Sequence, residues 1–186
     1  MEMLELLDGA FASTSQIIGS IRPDALVDPT PCSEWDVRGL INHTTWVVAR
    51  FERTAAGQEP SSTGPDDLVG TDPAGAFDRA SAANLAAWSS PHALEGTRRL
   101  PIGEVPAEMA AGVNFIDTLV HGWDLATATG QDPALDPALA GAALELSKVA
   151  IRDDLRGPGK PFASIVEVSA GASPTDQLVA FLGRQP

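Results

Sequence analysis

Few residues in this chain are built for chemistry. The three histidines are His43, His92 and His121, and the one cysteine is Cys32. A single cysteine allows no internal disulfide and no zinc site made of thiolates, so a protein metal site must come from histidine and carboxylate. Asn114, Asp117, His121 and Asp124 follow one another at spacings of three, four and three. On a helix turning by about 100° per residue they fall on one narrow stripe. Val113 and Val120 flank that stripe on one side, Phe115 and Leu125 on the other, and no Lys, Arg or Glu lies on it. Asp117 and His121 stand four residues apart, the spacing by which a helix offers two ligands to one ion. The bland alternative is a solvent face, because an Asp and a His at this spacing often coincide by chance.

His43 is the third candidate. It lies at the border of another apolar stripe, with Leu40 and Val47 on the core side and Asp36 and Arg50 near the same line. It reads either as a ligand at a bundle centre or as a partly buried imidazole on a backbone carbonyl. Taken together, His43, Asp117 and His121 would make a three-point cup. Two histidines and a carboxylate suit Zn²⁺, Ni²⁺ or Fe²⁺ and leave coordination positions open. His92 follows Pro91 in a loop and reads as exposed and inert. Cys32 precedes Ser33 at a helix start, where a thiol pKa can fall; packing is its expected role. Asp124 reads as a hydrogen-bond partner for a ligating histidine, or as a cap or solvent residue. Arg50 reads as an anchor for a substrate carboxylate or as a solvent residue, and Arg98 and Arg99 are equally ambiguous. Trp35, Trp46, Trp88 and Trp123 are expected to pack, since no basic groove accompanies them.

The elements that must place these groups are helical. Leu4, Leu7, Phe11, Ile18 and Ile21 recur at helical spacing, predicting a helix over 4–21. Three prolines in 22–32 make a loop. Ser33 and Asp36 form an S-x-x-D capping pattern, and Val37, Leu40, Ile41, Thr44, Val48, Phe51 and Ala55 make a broad stripe that Gly57 ends. A connector over 58–72 is long enough to cross a bundle. Asp72-Pro73 then opens a third helix to Ser89. Residues 91–106 look irregular, with a short hairpin around Gly103. A fourth helix covers 107–129, and Asp136-Pro137 opens a fifth, broken by GPGKP at 157–161. FASIVEV at 162–168 reads as a short strand, and Ser173 to Asp176 cap a last short helix.

Bulk properties narrow the function. The formal net charge is −13, with 44% hydrophobic residues. Apolar content of that order argues for a folded domain, here one domain over 1–186. The negative charge argues against nucleic acid and against anionic membrane, while mildly favouring cationic ligands. No apolar run approaches the ~20 residues of a membrane span. The acidic N-terminus Met1-Glu2-Met3-Leu4-Glu5 does not read as a secretory signal, so the expected location is cytoplasmic.

Three segments carry a resemblance. PTPCSEWDVRGLINH (29–43) and LVHGWDLATATGQD (119–132) resemble signatures of DinB-like proteins of the mycothiol-dependent maleylpyruvate isomerase N-terminal-domain group, and DQLVAFLGRQP (176–186) is similar to the end of a subgroup of short metal-binding members. The resemblance implies an all-α, four-helix bundle in up-down-down-up order, with an additional C-terminal helix and a short extended segment. It implies a divalent metal, zinc first and nickel second, on His43, Asp117 and His121, where relatives carry Glu, Asp or His at the position of Asp117. It further implies a low-molecular-weight thiol such as mycothiol, held as thiolate and added to a small-molecule electrophile by an S-transferase or isomerase. The competing readings are a non-catalytic metal- or small-molecule-binding bundle and a structural bundle without metal. Homodimerisation is an expectation by analogy.

Overall fold

The computed structural model describes residues 1–59, 67–101, 103–157, 159–160 and 162–186. Their contacts gather into two compact units, Met1–Pro133 and Ala134–Pro186. The first unit holds α1 (Met3–Gly19), α2 (Val37–Ala55), α3 (Pro73–Trp88), the strands β1 (Thr97–Leu100) and β2 (Gly103–Pro106), and α4 (Ala107–Ala128). The second holds α5 (Pro137–Ala150) and α6 (Pro174–Phe181).

Side-chain contacts set the direction of the four long helices. Gln131, just past the end of α4, donates to the carbonyl of Ile17 near the end of α1, at 3.1 Å. These two helices therefore run the same way. Ser15 late in α1 donates to Asp78 early in α3, so that pair is antiparallel. Arg38 at the start of α2 donates to Asp67 and to the carbonyl of Gly70, both at 2.8 Å, just ahead of α3. Asn42 accepts from the Leu68 amide at 2.6 Å. The starts of α2 and α3 thus lie side by side. The order is up-down-down-up. Part of the connector expected over 58–72 falls outside the described residues.

The four long helices bury most of the stripe residues expected of them. Leu7, Phe11 and Ile18 of α1, Leu40, Ile41 and Val48 of α2, Phe77 and Trp88 of α3, and Phe115, Leu119 and Leu125 of α4 form the core. The α4 helix is buried almost all round. Gly122 lets α1 approach closely, since a Cβ there would sit 2.6 Å from the Thr14 hydroxyl oxygen. That hydroxyl donates to the Thr118 carbonyl at 3.1 Å.

Most helix ends lie where the capping residues put them. Asp72, Asp136 and Ser173 each accept from a backbone amide of the first turn, with proline at the next position. The start of the second helix is a correction. It begins at Val37, and Asp36 is the cap itself, accepting from the Gly39 amide at 2.7 Å. Ser33 lies outside the helix, because residues 28–36 form a closed loop with a bridge between Pro29 and Asp36. The expected hairpin is present, with Leu100 opposite Gly103. The expected strand at 162–168 is not: Phe162 makes one isolated bridge with Arg156, and residues 163–168 form no ladder. The fifth helix ends at Ala150, ahead of GPGKP, of which residues 158 and 161 fall outside the described set.

Candidate metal centre

The two helices that carry the proposed ligands meet. His43 from α2 and Asp117 and His121 from α4 bring one ligand atom each within 4.8 Å of one another. The His43 and His121 ring centroids are 5.2 Å apart, with the rings nearly perpendicular. His121 Nε2 lies 3.7 Å from Asp117 Oδ1. A four-coordinate ion with bonds of about 2.0–2.1 Å asks for edges of roughly 3.4 Å between ligand atoms. Modest side-chain movement would close the triangle around an ion.

The stripe on α4 faces inward. Asn114 and Asp124 are fully buried and His121 is 8% exposed, which removes the solvent-face reading. Asp117 is partly open, yet its Oδ2 is buried without a hydrogen-bond partner. A buried carboxylate oxygen left unpaired is costly. A cation at the cup would satisfy it, so the residues present fit a divalent ion.

His121 is held from behind. Asp124 Oδ2 accepts from its Nδ1–H at 2.9 Å, which fixes the tautomer and leaves the Nε2 lone pair facing Asp117 and His43. The Cys32 thiol donates to the same Asp124 oxygen at 3.3 Å, and its sulfur lies 3.8 Å from His121 Nδ1. Burial alone would lower the His121 pKa. The Asp117 charge and the bonds to Asp124 and Cys32 outweigh it and push the pKa to about 10. The site therefore seeks positive charge at Nε2, whether proton or metal. At His43, burial lowers the pKa; Asp117 opposes this, His121 adds to it and Glu34 opposes it. His43 is accordingly available as a neutral ligand.

The loop before α2 supplies what periodicity could not reveal. Thr30 Oγ1 donates to the carbonyls of Trp35 at 2.8 Å and Cys32 at 3.0 Å, and accepts from the Cys32 amide. This closed turn places the Trp35 ring on the His43 ring, 4.1 Å between centroids and 22° between planes. It also brings Cys32 to Asp124. Trp35 therefore does more than pack, and so does Trp46, which lies under the Arg50 guanidinium. Trp88 and Trp123 are core, as expected. His92 is exposed and paired with Glu95, far from any such role. Arg98 donates to the carbonyls of Ala93, Glu95 and Thr97, and Arg99 faces Glu59.

The family model described as mycothiol maleylpyruvate isomerase N-terminal domain matches residues 7–126. The chain belongs to this family. The matched stretch contains His43, Asp117, His121, Asp124, Cys32 and Trp35. Two relatives, uncharacterized proteins from two strains of Mycobacterium tuberculosis, are each 39% identical over 175 residues, covering 94% of this chain and 92% of theirs. A crystal structure of the mycothiol-dependent maleylpyruvate isomerase shares the fold, with a TM-score of 0.55 and 18% identity. That match covers 66% of this chain and 59% of the isomerase chain, so this protein corresponds to about three fifths of that enzyme's length. Among the described residues no helix is long and apolar enough to cross a membrane.

Proposed function

We propose that His43, Asp117 and His121 hold a divalent metal ion, zinc first and nickel second, and that the protein is a metal-dependent S-transferase or isomerase-like enzyme using a low-molecular-weight thiol. The observation that carries this reading is the convergence of three ligand atoms within 4.8 Å, with the Asp117 Oδ2 buried and unpaired beside them. When bound, such an ion favours the thiolate over the thiol, and the thiolate is the nucleophile. The family supports mycothiol as that thiol and an unsaturated small molecule as the electrophile.

The chain's own residues prepare the site. Asp124 keeps the His121 proton on Nδ1, and the stacked Trp35 ring fixes the plane of His43. Three protein ligands leave coordination positions open for a thiol sulfur. Asp117 reaches one methylene less far than a glutamate would; its carboxylate is drawn in by the one-turn spacing to His121.

The test is metal analysis of tag-free protein with His43→Ala and His121→Ala alongside. Wild type is expected to hold close to one zinc per chain, and each variant to lose most of it. Equal metal in all three would remove the assignment. Turnover of model electrophiles with mycothiol is expected only in the metal-loaded wild type. Metal binding without turnover would leave the second reading, a metal-binding bundle with no catalysis.

A further inference from the structure

Arg50 is the charged group near this site that the reading above leaves unused. It lies two turns beyond His43 on α2, so both project from one face of the helix. Its guanidinium sits over the Trp46 ring, 5.3 Å from the centroid, and that ring is 6.3 Å from the His43 ring. Burial lowers the Arg50 pKa and the Asp117 charge opposes this, which places the two groups within electrostatic reach. Yet the Arg50 guanidinium makes no hydrogen bond or ion pair with any described residue, whereas those of Arg22, Arg38 and Arg152 all hold aspartates. Acidic residues outnumber basic ones 25 to 12 in this chain, so a partly buried guanidinium left without one is conspicuous.

We infer that Arg50, laid on Trp46, is an anion subsite at the rim of the metal cup and takes a carboxylate carried by the electrophilic substrate. This rests on the proposed function and narrows its substrate to compact, carboxylate-bearing electrophiles. A guanidinium presents a planar fork of donors that matches a carboxylate with two parallel bonds. An aromatic ring beneath fixes the plane of that fork and leaves its edge donors free. Asp117, whose charge acts on Arg50, turns its Oδ1 towards His121. An ion on Asp117 would neutralise its charge further and leave Arg50 to an incoming anion. His43 and Arg50 are separated by about 10.5 Å of helix rise, part of which the long arginine side chain spans. A ligand bridging cup and rim therefore needs its carboxylate only a few bonds from the reacting carbon.

The experiment compares benzoate with benzamide, two probes alike in shape and different in charge. Both are titrated by NMR into wild type, Arg50→Gln and Arg50→Lys, each in zinc-loaded and metal-free form. Benzoate is expected to shift the Arg50 Nε–H resonance, identified by its absence in R50Q. Its affinity should fall about tenfold or more in R50Q, as for a lost charged hydrogen-bond pair, and recover in part in R50K. Benzamide should bind no better to wild type than to R50Q. Equal benzoate affinity in wild type and R50Q, or benzoate no tighter than benzamide, would overturn the subsite. Should R50Q not fold, the resonance is identified by its absence in R50K, and the wild-type shift with the R50K affinity decides the matter. The metal-free arm separates the two ideas: failure of zinc to bind wild type removes the metal, while an Arg50-dependent preference for benzoate without zinc keeps the subsite.

Discussion

The carboxylate of Asp124 is not one of the three proposed ligands, yet it decides which nitrogen of His121 is free. It is fully buried and accepts from Nδ1–H at 2.9 Å. Removing such a partner lets the ring turn and the tautomer change, at a typical cost of about 10–100-fold in metal affinity. Asp124→Ala should lower zinc affinity by that order, measured by competition with a chromophoric chelator. Asp124→Asn keeps an acceptor but drops the charge, and should fall between Ala and wild type. Equal affinity in all three would mean that packing alone orients the imidazole. At this scale the sequence showed a good deal. The spacing of Asp117, His121 and Asp124 is a helical stripe, and helical stripes can be read directly. Trp35 and Cys32 were not legible as site residues, because their positions depend on a turn closed by Thr30, and a turn has no period.

Helix ends followed local chemistry where an Asp or Ser cap preceded a proline, and the reading erred where two caps competed. Ser33 and Asp36 both resemble caps; the bridge from Pro29 to Asp36 holds Ser33 in the loop, so tertiary structure chose the later one. The segment 162–168 has the β-branched content of a strand, but its pairing stops at one bridge from Phe162 to Arg156, and a continuous ladder is what makes a strand. What a propensity reading could not supply is the clamp that spaces α2 from α4. Asn84 of α3 donates to the Val48 carbonyl of α2 at 2.7 Å and accepts from the Asn114 amide of α4 at 2.9 Å. All of this is buried, about one turn from the ligands on both helices. Asn84→Ala strips partners from two buried polar groups, which typically costs 1–3 kcal/mol each. We expect stability to drop by about 2–3 kcal/mol in urea unfolding and zinc affinity to fall several-fold, although no ligand is altered. Unchanged zinc affinity in the destabilised variant would show that the helix spacing is set elsewhere.

The order of the four long helices was implied by the family resemblance and fits the long connector after the second helix, and the contacts of Arg38 and Asn42 with residues 67–70, of Ser15 with Asp78 and of Gln131 with Ile17 establish it. That order has an energetic consequence for the whole first unit. His43 and the pair Asp117 and His121 lie 74 or more residues apart in sequence, on two antiparallel helices whose meeting requires the bundle to be closed. An ion held by all three binds the folded unit and loses its site when α2 and α4 separate. Ligand binding to the folded state stabilises by RT ln(1 + [L]/Kd), about 4 kcal/mol at a thousandfold excess over Kd. For a unit of residues 1–133, each kcal/mol moves the midpoint by a few degrees, roughly 3–5 °C. Saturating zinc should therefore raise the melting temperature of wild type by about 10–20 °C, and a chelator should return it to the metal-free value. The His43→Ala/His121→Ala double variant should show almost no shift, since a single carboxylate binds zinc weakly. A shift of equal size in the double variant would place the stabilising ion somewhere other than the junction of α2 and α4.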